Sequence, residues 1–473
     1  MEPTLEDALA NIDTLWVFVA GTLVLFMQAG FLLLEVGFSR MKNAGTVVAK
    51  VLANLSIAAL CYWAVGFALA FGATKAPAAG ETAGWFAGNA GFFLNDLDKL
   101  QLPAMSFSKA DSAAKFFFQF AFCAVSLAIV WGTTLERIKF GAYLAYAVLF
   151  SAVIYPIISH WIFGGGWLQV NFGMQDFAGS TVIHLLGATG ALAALLHLGP
   201  RLGKYGRDGK PNVIPGHSMP LVGLGVIILL IGWMGFNPGS TLGVADGRFA
   251  EVAIVTMIGA AAGGLAAMAT IWRVTRSFDI GMTGNGVIAG LVAITAPSGY
   301  VEFWAALPIG AIAGVIVVVC VIAIDRKIDD PIGALSSHGA AGIWGTLACG
   351  IFTSPRLAEL NAVGDGGLLY TGSFGQLGAQ ALGVVAAFAA VFSVSYLAFW
   401  AIKKTIGLRV TEEEEHDGLD IVEHGMWGYP EQFMPIPGSV YQPAASERAA
   451  RSAEKSRAAA VALRSATPST QEN

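Results

Sequence analysis

Two segments decide the fold, DFAGSTVIH (residues 176–184) and DDPIGALSSHGAAG (residues 329–342), because they are alike yet stand far apart in one apolar chain. Each begins with aspartate, continues through glycine and hydroxyl side chains, and carries a histidine into a run of hydrocarbon residues. Aspartate is a preferred N-cap, and proline in the first turn also favours a helix start. We therefore predict two helices that bear His184 and His338, each roughly 10 Å from its own helix start.

The composition places these helices in a membrane. The chain has 473 residues, of which 55% are hydrophobic and 12% are charged, whereas a soluble domain carries roughly 25% charged residues. The net charge of −5 gives no reason to expect a nucleic-acid partner. The four cysteines lie in apolar runs without metal-type or disulfide-type spacing, and we interpret them as small core residues. The composition predicts an all-α polytopic membrane protein.

The hydrophobic runs predict eleven transmembrane helices, since a span needs about 20 apolar residues. The predicted spans are 14–37, 45–72, 115–134, 141–163, 178–200, 217–237, 249–273, 280–298, 301–324, 332–353 and 376–404. Eleven spans divide as five, five and one, and two repeats of odd length have opposite topology. His184 and His338 then enter the bilayer from opposite faces, so we predict a 5+5 inverted repeat (about 14–200 and about 217–353) followed by a final span.

The distribution of lysine and arginine sets the predicted orientation. Alternate loops carry most of these residues, beginning with Arg40, Lys42 and Arg137, and such loops are cytoplasmic. The N-terminus is then outside and the C-terminus inside the cell membrane. We divide the chain into a transmembrane domain (12–404), an acidic, short ordered cytoplasmic segment (405–430) and an Ala/Ser/Arg-rich tail (431–473) that is expected to be disordered.

Ionisable residues within spans are functional candidates by default. Here they are Glu35, Lys50, Asp176, His184 and His338. The two histidines could each bond separately to a backbone carbonyl, but their matched positions favour a shared site. Neither has an HxxxH or HExxH partner, so we expect no metal and no cofactor. A pair of neutral imidazoles suits a path for a small polar molecule and resists a bare cation.

Aromatic residues gather beside other polar positions. FFFQFAFC (116–123) places Phe118 and Phe122 on one helix face. GWMGFNPGS (232–240) holds Trp233, Phe236, Asn237 and Ser240, and its proline frees backbone carbonyls. Aromatic faces with a hydroxyl are suited to a small cation. The alternative is an aromatic belt with ordinary core packing.

The sequence resembles the ammonium transporter (Amt/Mep/Rh) family. The resemblance is carried by DFAGSTVIHLLGATGALAALLHLGPR, by DTLWVFVAGTLVLFMQAGFLLLEVGFSRMKN (13–43) and, in order, by FQFAFC, LERIKF, IGWMGFNPGS, DDPIGALSSHG and GLRVTEEEEHDGLDIVEHG (407–425). It extends over about residues 12–430 and is highly specific.

The resemblance implies an eleven-helix fold with a 5+5 inverted repeat and a homotrimer with one pore per subunit. The family's twin pore histidines match His184 and His338. Its stacked gate phenylalanines match Phe122 and Phe236, and its outer recruitment site matches Phe118, Phe122 and Ser240. Its structural aspartate matches Asp176, and the tryptophan beside the gate matches Trp233. The segment Gly407–Gly425 matches the cytoplasmic region near which PII-type signal proteins dock in bacterial members.

The sequence departs from the family pattern at one recruitment position. The family usually has tryptophan before the GGG of the fourth span, where this chain reads HWIFGGGW and places Phe163. Phenylalanine offers a weaker face to a cation than tryptophan does. Either the site is weaker, or the neighbouring Trp161 or Trp167 substitutes.

The predicted function is ammonium transport, not an enzyme activity. Ammonium binds outside, loses its proton, and crosses the pore as ammonia, with the histidines as candidates for separate proton transfer. The alternatives are a passive ammonia gas channel and a membrane ammonium sensor, although the residues after the last span are too few for a typical signalling domain. An intramembrane redox or metal enzyme is a third, less favoured interpretation.

Overall fold

The protein is all-helical, as predicted. The computed structural model describes residues 4–433 except 76, 79 and 98, and within them β-structure is limited to three isolated bridges. The predicted tail therefore lies outside the described residues from position 434 onward.

The long helical segments are named here in chain order. They are α1 Leu5–Phe38, α2 Met41–Phe71, α3 Ser112–Thr133, α4 Phe140–Phe172, α5 Ser180–Leu198, α6 Met219–Gly239, α7 Arg248–Thr275, α8 Ile280–Thr295, α9 Phe303–Ile324, α10 (residues 335–352) and α11 Gly375–Thr405. In the described part of the chain, nine of them are long and apolar enough to cross a membrane, and α8 is a shorter apolar helix. Short helices are Phe92–Leu94, Pro103–Met105, Pro355–Asn361, Leu368–Thr371, Glu412–Asp417, Leu419–His424 and Pro430–Phe433.

Local sequence explains where two helices differ from their predicted bounds. Helix α1 begins at Leu5, before the predicted residue 14, because Thr4 and Asp7 form a capping box. Asp7 N donates to Thr4 Oγ1 over 3.2 Å, and Thr4 N donates to the Asp7 carboxylate over 2.9 Å. Helix α8 ends at Thr295 rather than at 298, because Pro297 has no backbone N–H with which to continue the helical hydrogen bonds.

The two histidine-bearing helices share an unusual first turn. Helix α5 opens with a π-helical turn, Ser180–Leu185, and α10 opens with another, Leu335–Ala340. π-turns are rare and occur frequently at functional sites. Helices α5 and α3 are also the most enclosed of the nine apolar helices, since 83% of the apolar window of each is buried against at most 56% in the others. The centre of the molecule is therefore built from α3, α5 and α10.

A charged layer closes one end of the bundle. Asp329 pairs with Arg201 over 2.9 Å, and Arg40 pairs with Glu136 over 2.5 Å. The segment after α11 packs onto this end: Asp420 accepts the backbone N–H groups of Gly45 and Thr46 at 2.8 and 2.7 Å. Residues 405–430 thus contribute directly to the order of the helix ends, since Asp420 satisfies orphan donors at the start of α2.

Candidate functional site

The two predicted histidines meet at the centre of the bundle. His184 Nδ1 and His338 Nδ1 are 3.2 Å apart, and their rings stack with centroids 5.2 Å apart and planes 19° from parallel. Both are buried. Because a neutral imidazole carries one donor and one acceptor, one ring donates and the other accepts in this bond. The two Nε2 atoms take no part in this bond. Nε2 of His184 has no hydrogen-bond partner among the described residues.

An aspartate holds the start of each histidine helix. Asp176 Oδ1 accepts the N–H groups of Gly179 and Ser180 over 2.7 and 3.0 Å, and Oδ2 accepts those of Thr181 and Val182 over 2.9 and 3.1 Å. Asp330 accepts two N–H groups in the same way, from Gly333 over 3.1 Å and Leu335 over 2.7 Å. The two carboxylates therefore satisfy backbone donors that a helix start leaves unpaired.

Aromatic rings continue from the histidines in an unbroken file. The His184 ring stacks on Phe236 with centroids 5.6 Å apart and on Trp233 at 5.2 Å. Phe236 contacts Phe122 at 4.4 Å, and Phe122 contacts Phe118 at 4.5 Å, both edge to face. We call Phe118, Phe122, Phe236, His184 and His338 the ring file. Phe122 and Phe236 lie in direct edge-to-face contact in the middle of the file.

Two neighbours of the ring file are anchored by hydroxyl groups. Trp233 Nε1 donates to Thr295 Oγ1 over 2.9 Å, and Asn237 Nδ2 donates to Thr256 Oγ1 over 3.0 Å. Both side chains are fully buried. These bonds tie α6 to α8 and α7 beside Phe236.

A vestibule opens at one end of the ring file. It has a volume of about 460 Å³, and its lining includes the predicted residues Phe118, Phe122, Phe163, Ser240 and Asp176. The Ser240 hydroxyl donates to the Phe236 carbonyl over 2.9 Å. Because its hydrogen is committed there, the Ser240 oxygen can only accept a hydrogen bond from a ligand.

The tryptophans on either side of Phe163 do not take its place. Phe163 lines the vestibule, whereas Trp161 and Trp167 are absent from the lining. Trp161 instead donates its ring N–H to Phe86 O over 3.0 Å, and its ring lies 5.6 Å from that of Trp167. Phe163, and neither neighbouring tryptophan, therefore forms this part of the vestibule wall.

A much smaller cavity lies at the other end of the ring file. It has a volume of about 10 Å³ and is lined by Glu35, Asn285, Ser337 and His338 among apolar residues. Such a volume holds about one water-sized molecule. The ring file thus joins a wide vestibule to a narrow polar cavity.

Several lining residues were missed by reasoning from the sequence. Gln119 and Tyr300 line the vestibule, and Asn285 lines the inner cavity. Thr181 and Thr346 join α5 to α10 by a hydroxyl bond of 2.6 Å. Gln119 could have been found, since it is the one polar residue inside the run FFFQFAFC. The others look like ordinary helix residues because their neighbours come from distant parts of the chain.

The comparisons with known proteins identify the family of this chain. The sequence model of the Ammonium Transporter Family matches residues 15–429. This chain belongs to the Ammonium Transporter Family. It is 43% identical to ammonium transporter Amt2 of Archaeoglobus fulgidus over 437 residues, which is 90% of each chain. The family resemblance predicted from the motifs is confirmed, and with its apolar helices this family member is a membrane protein.

Two solved structures are similar to this family member along most of its length. One is Sensor Amt Protein, with a TM-score of 0.80 and 37% identity over 89% of this chain and 100% of that one. The other is Candida albicans Mep2, with a TM-score of 0.79 and 29% identity over 94% of this chain and 96% of that one. Both similarities support the fold described above.

Proposed function

We propose that the chain recruits ammonium in the vestibule, removes one proton, and conducts ammonia along the ring file. The observation that carries this proposal is the continuity of the file from the vestibule, past Phe122 and Phe236, to His184 and His338. A closed, apolar file suits a small neutral molecule, because burying an unpaired ion costs many kcal/mol.

Recruitment rests on three aromatic faces and one hydroxyl. Phe118, Phe122 and Phe163 line the same vestibule as Ser240. Aromatic faces attract a cation, and the Ser240 oxygen accepts an N–H bond because its own hydrogen is bound to Phe236 O. The proposed site thus stabilises ammonium before its desolvation.

Deprotonation is needed because the vestibule can stabilise a cation, whereas the closed apolar gate at Phe122 and Phe236 cannot. Ammonium breaks one N–H bond, the proton passes to an acceptor, and the ammonia that remains can pass between the two gate rings. The hydrogen-bonded imidazoles of His184 and His338 form the candidate relay, since each ring can take a proton on one nitrogen and release another from its second nitrogen. We assign Asp176, Trp233 and Asn237 to support of this geometry.

The architecture we propose is eleven spans with a 5+5 inverted repeat, in which α1–α5 and α6–α10 correspond. The support is the pairing of Asp176 with Asp330, of one π-turn with the other, and of His184 with His338. In this arrangement the N-terminus is outside the cell membrane, and the vestibule faces outward. The charged layer and residues 405–430 then face the cytoplasm, in keeping with the positive-inside rule.

For partners we propose a homotrimer and a PII-type signal protein at the cytoplasmic face. The segment 405–430 is held against α2 through Asp420 and would lie beside such a partner. Native mass spectrometry of the purified protein tests the trimer. Pull-down with a purified PII-type protein, with and without its nucleotide effectors, tests the second partner.

The decisive experiment is solid-supported-membrane electrophysiology on proteoliposomes given an ammonium pulse. We expect a saturable current that empty liposomes lack. If the histidines carry the proton, His184→Ala abolishes the current even where ammonia flux survives. An unchanged current in that variant would refute the relay, and rapid internal alkalinisation without current would mean a passive ammonia channel.

A sensor is the second candidate, because Sensor Amt Protein is among the similar structures. A sensor binds ammonium in the same vestibule but need not transport it. Saturable ammonium binding with neither current nor alkalinisation would favour this function over transport.

A further inference from the structure

Two buried charged side chains, Glu35 of α1 and Lys50 of α2, have no role in the site described so far. Each is 1% exposed. Glu35 Oε2 and Lys50 Nζ both lack a hydrogen-bond partner among the described residues, although their charges act on each other. Leaving a buried charge without a hydrogen bond is strongly unfavourable. Structural ion pairs avoid this cost by direct contact, so this arrangement points to a function.

Glu35 stands next to the end of the ring file. Together with His338 it lines the inner cavity, which holds about one water-sized molecule. Gly132 of α3 packs closely here, since a Cβ at that position would lie 2.2 Å from Ile332 Cδ1 and 3.2 Å from Glu35 Oε1. The Ser337 hydroxyl donates to Gly333 O over 3.0 Å, so it presents only lone pairs to the cavity.

We propose that Glu35 accepts the proton from His338 on the inner side of the pore, with Lys50 as its counter-charge. The inference rests on the proposed function, in which the proton removed from ammonium follows the histidines. An N–H bond of protonated His338 breaks, and the proton passes through one water molecule in the cavity to a Glu35 oxygen. Glu35 then gives this proton to the lone pair of ammonia, so that ammonium leaves and the carboxylate is restored.

The charged and titratable groups around the pair come from four other parts of the chain. His338 faces Glu35 from α10, and the Tyr143 ring of α4 lies 6.0 Å from Lys50 Nζ. The loop after α3 contributes Glu136 and Arg137, and the cytoplasmic segment contributes Glu423, all of which act on Lys50. Glu35 is the carboxylate among these groups that shares the cavity with a ring-file histidine.

The test compares ammonium-evoked current with ammonia permeation, measured as internal alkalinisation, in proteoliposomes of the full chain. The variants are Glu35→Gln, Glu35→Asp and the double variant Glu35→Gln with Lys50→Met. The double variant removes both buried charges, so no unpaired buried charge remains to destabilise the fold. A loss of current in this variant therefore reports the loss of proton transfer. Glu35→Asp is the matched control because it keeps a carboxyl group.

We expect the current to fall at least roughly tenfold in Glu35→Gln and in the double variant, since positioned acid–base groups contribute that much or more. Where ammonia still permeates, internal alkalinisation rises in both variants, because ammonia that enters without the relayed proton takes a proton from the lumen. Glu35→Asp retains current, and the pH of half-maximal current shifts because the carboxyl group is displaced.

Each contrary outcome has its own meaning. A full wild-type current that persists in the double variant overturns the role of Glu35 and leaves the proposed function intact. Alkalinisation without current in the wild type overturns the proton path and Glu35 with it. A wild type that shows neither response overturns the proposed function itself, and the inference falls with it.

Discussion

The two ends of the ring file are built from the same sequence pattern but differ in their surroundings. At one end, Asp176 accepts four backbone N–H groups, and the file opens into a vestibule of about 460 Å³. At the other end, Asp330 accepts two such groups, and the file meets a cavity of about 10 Å³. The wide end suits capture of a hydrated cation, and the narrow end suits release of one small molecule. A repeated motif therefore yields two different sites once its neighbours differ.

Replacing the two aspartates, Asp176 and Asp330, should have the greatest effect on stability. Asp176→Ala leaves four donors without an acceptor, so we expect the unfolding free energy to fall by at least about 3 kcal/mol and the current to disappear. Asp330→Ala removes the acceptor of Gly333 N and Leu335 N and should destabilise the protein by a smaller amount. Chemical denaturation in detergent, followed by helical circular dichroism, measures both. Equal losses would mean that the two caps are equivalent despite their different bond numbers.

The charged layer beside the narrow end gives a pH dependence of stability. Burial alone would raise the pKa of Asp329, but the hydrogen bond from Arg201 and the charges of Arg137 and Arg201 outweigh it and lower the pKa to about 2. The unfolded pKa is about 3.9, so the contribution of Asp329 is complete above pH 4 and is lost as the pH falls through about 2. We expect a loss of about 2 kcal/mol over this interval.

Unfolding free energies measured between pH 2 and 5 provide the check on this charged layer. In Asp329→Asn the stability is lower throughout, because Arg137 and Arg201 lose their carboxylate partner. The part of the acid slope that belongs to Asp329 should vanish in this variant. The same slope in both proteins would contradict the assignment.

At the wide end, Ser240→Ala removes one proposed contact to ammonium. The variant loses an acceptor for the ammonium N–H, and a hydrogen bond to a charged group is worth about 1.5 kcal/mol. We therefore expect the half-saturating ammonium concentration of the current to rise about tenfold. Thr241→Ala, a hydroxyl in the same vestibule that binds its own loop, serves as the control and should change this concentration by less than about twofold.

A smaller change in ammonium affinity is expected at Phe163, which forms part of the vestibule wall. Phe163→Trp restores the stronger aromatic face, which is worth about 0.5–1 kcal/mol to an exposed cation. The half-saturating concentration should fall roughly two- to fivefold, with little change in maximal current. Trp161→Phe changes a tryptophan outside the vestibule lining and should leave the affinity unaltered. A fall in affinity for Phe163→Trp would show that the wall is limited by space.

Much of the fold and the contents of the site were predictable because periodicity and motifs are local in the chain. The apolar runs predicted the helices to within a few residues, except at two of them. A capping box extends α1 to Leu5, and α4 resumes after a break at 163–166 and continues to Phe172. The histidines, the gate rings and Ser240 were all selected from short motifs. Gln119 was overlooked, and Asn285 lacked any motif, since its importance comes from the cavity that it shares with Glu35 and His338.

The membrane class, the two helix starts shortly after Asp176 and Asp330, and the residue types of the ring file follow from the sequence alone. They do so because composition, capping and hydrophobic period act over a few neighbouring residues. Only the tertiary structure decided that the two histidine rings touch, that Trp161 turns away from the vestibule, and that Glu35 lies beside His338. Those contacts join helices that are far apart in the chain, and they depend on how side chains fill the shared interior, which no local pattern specifies.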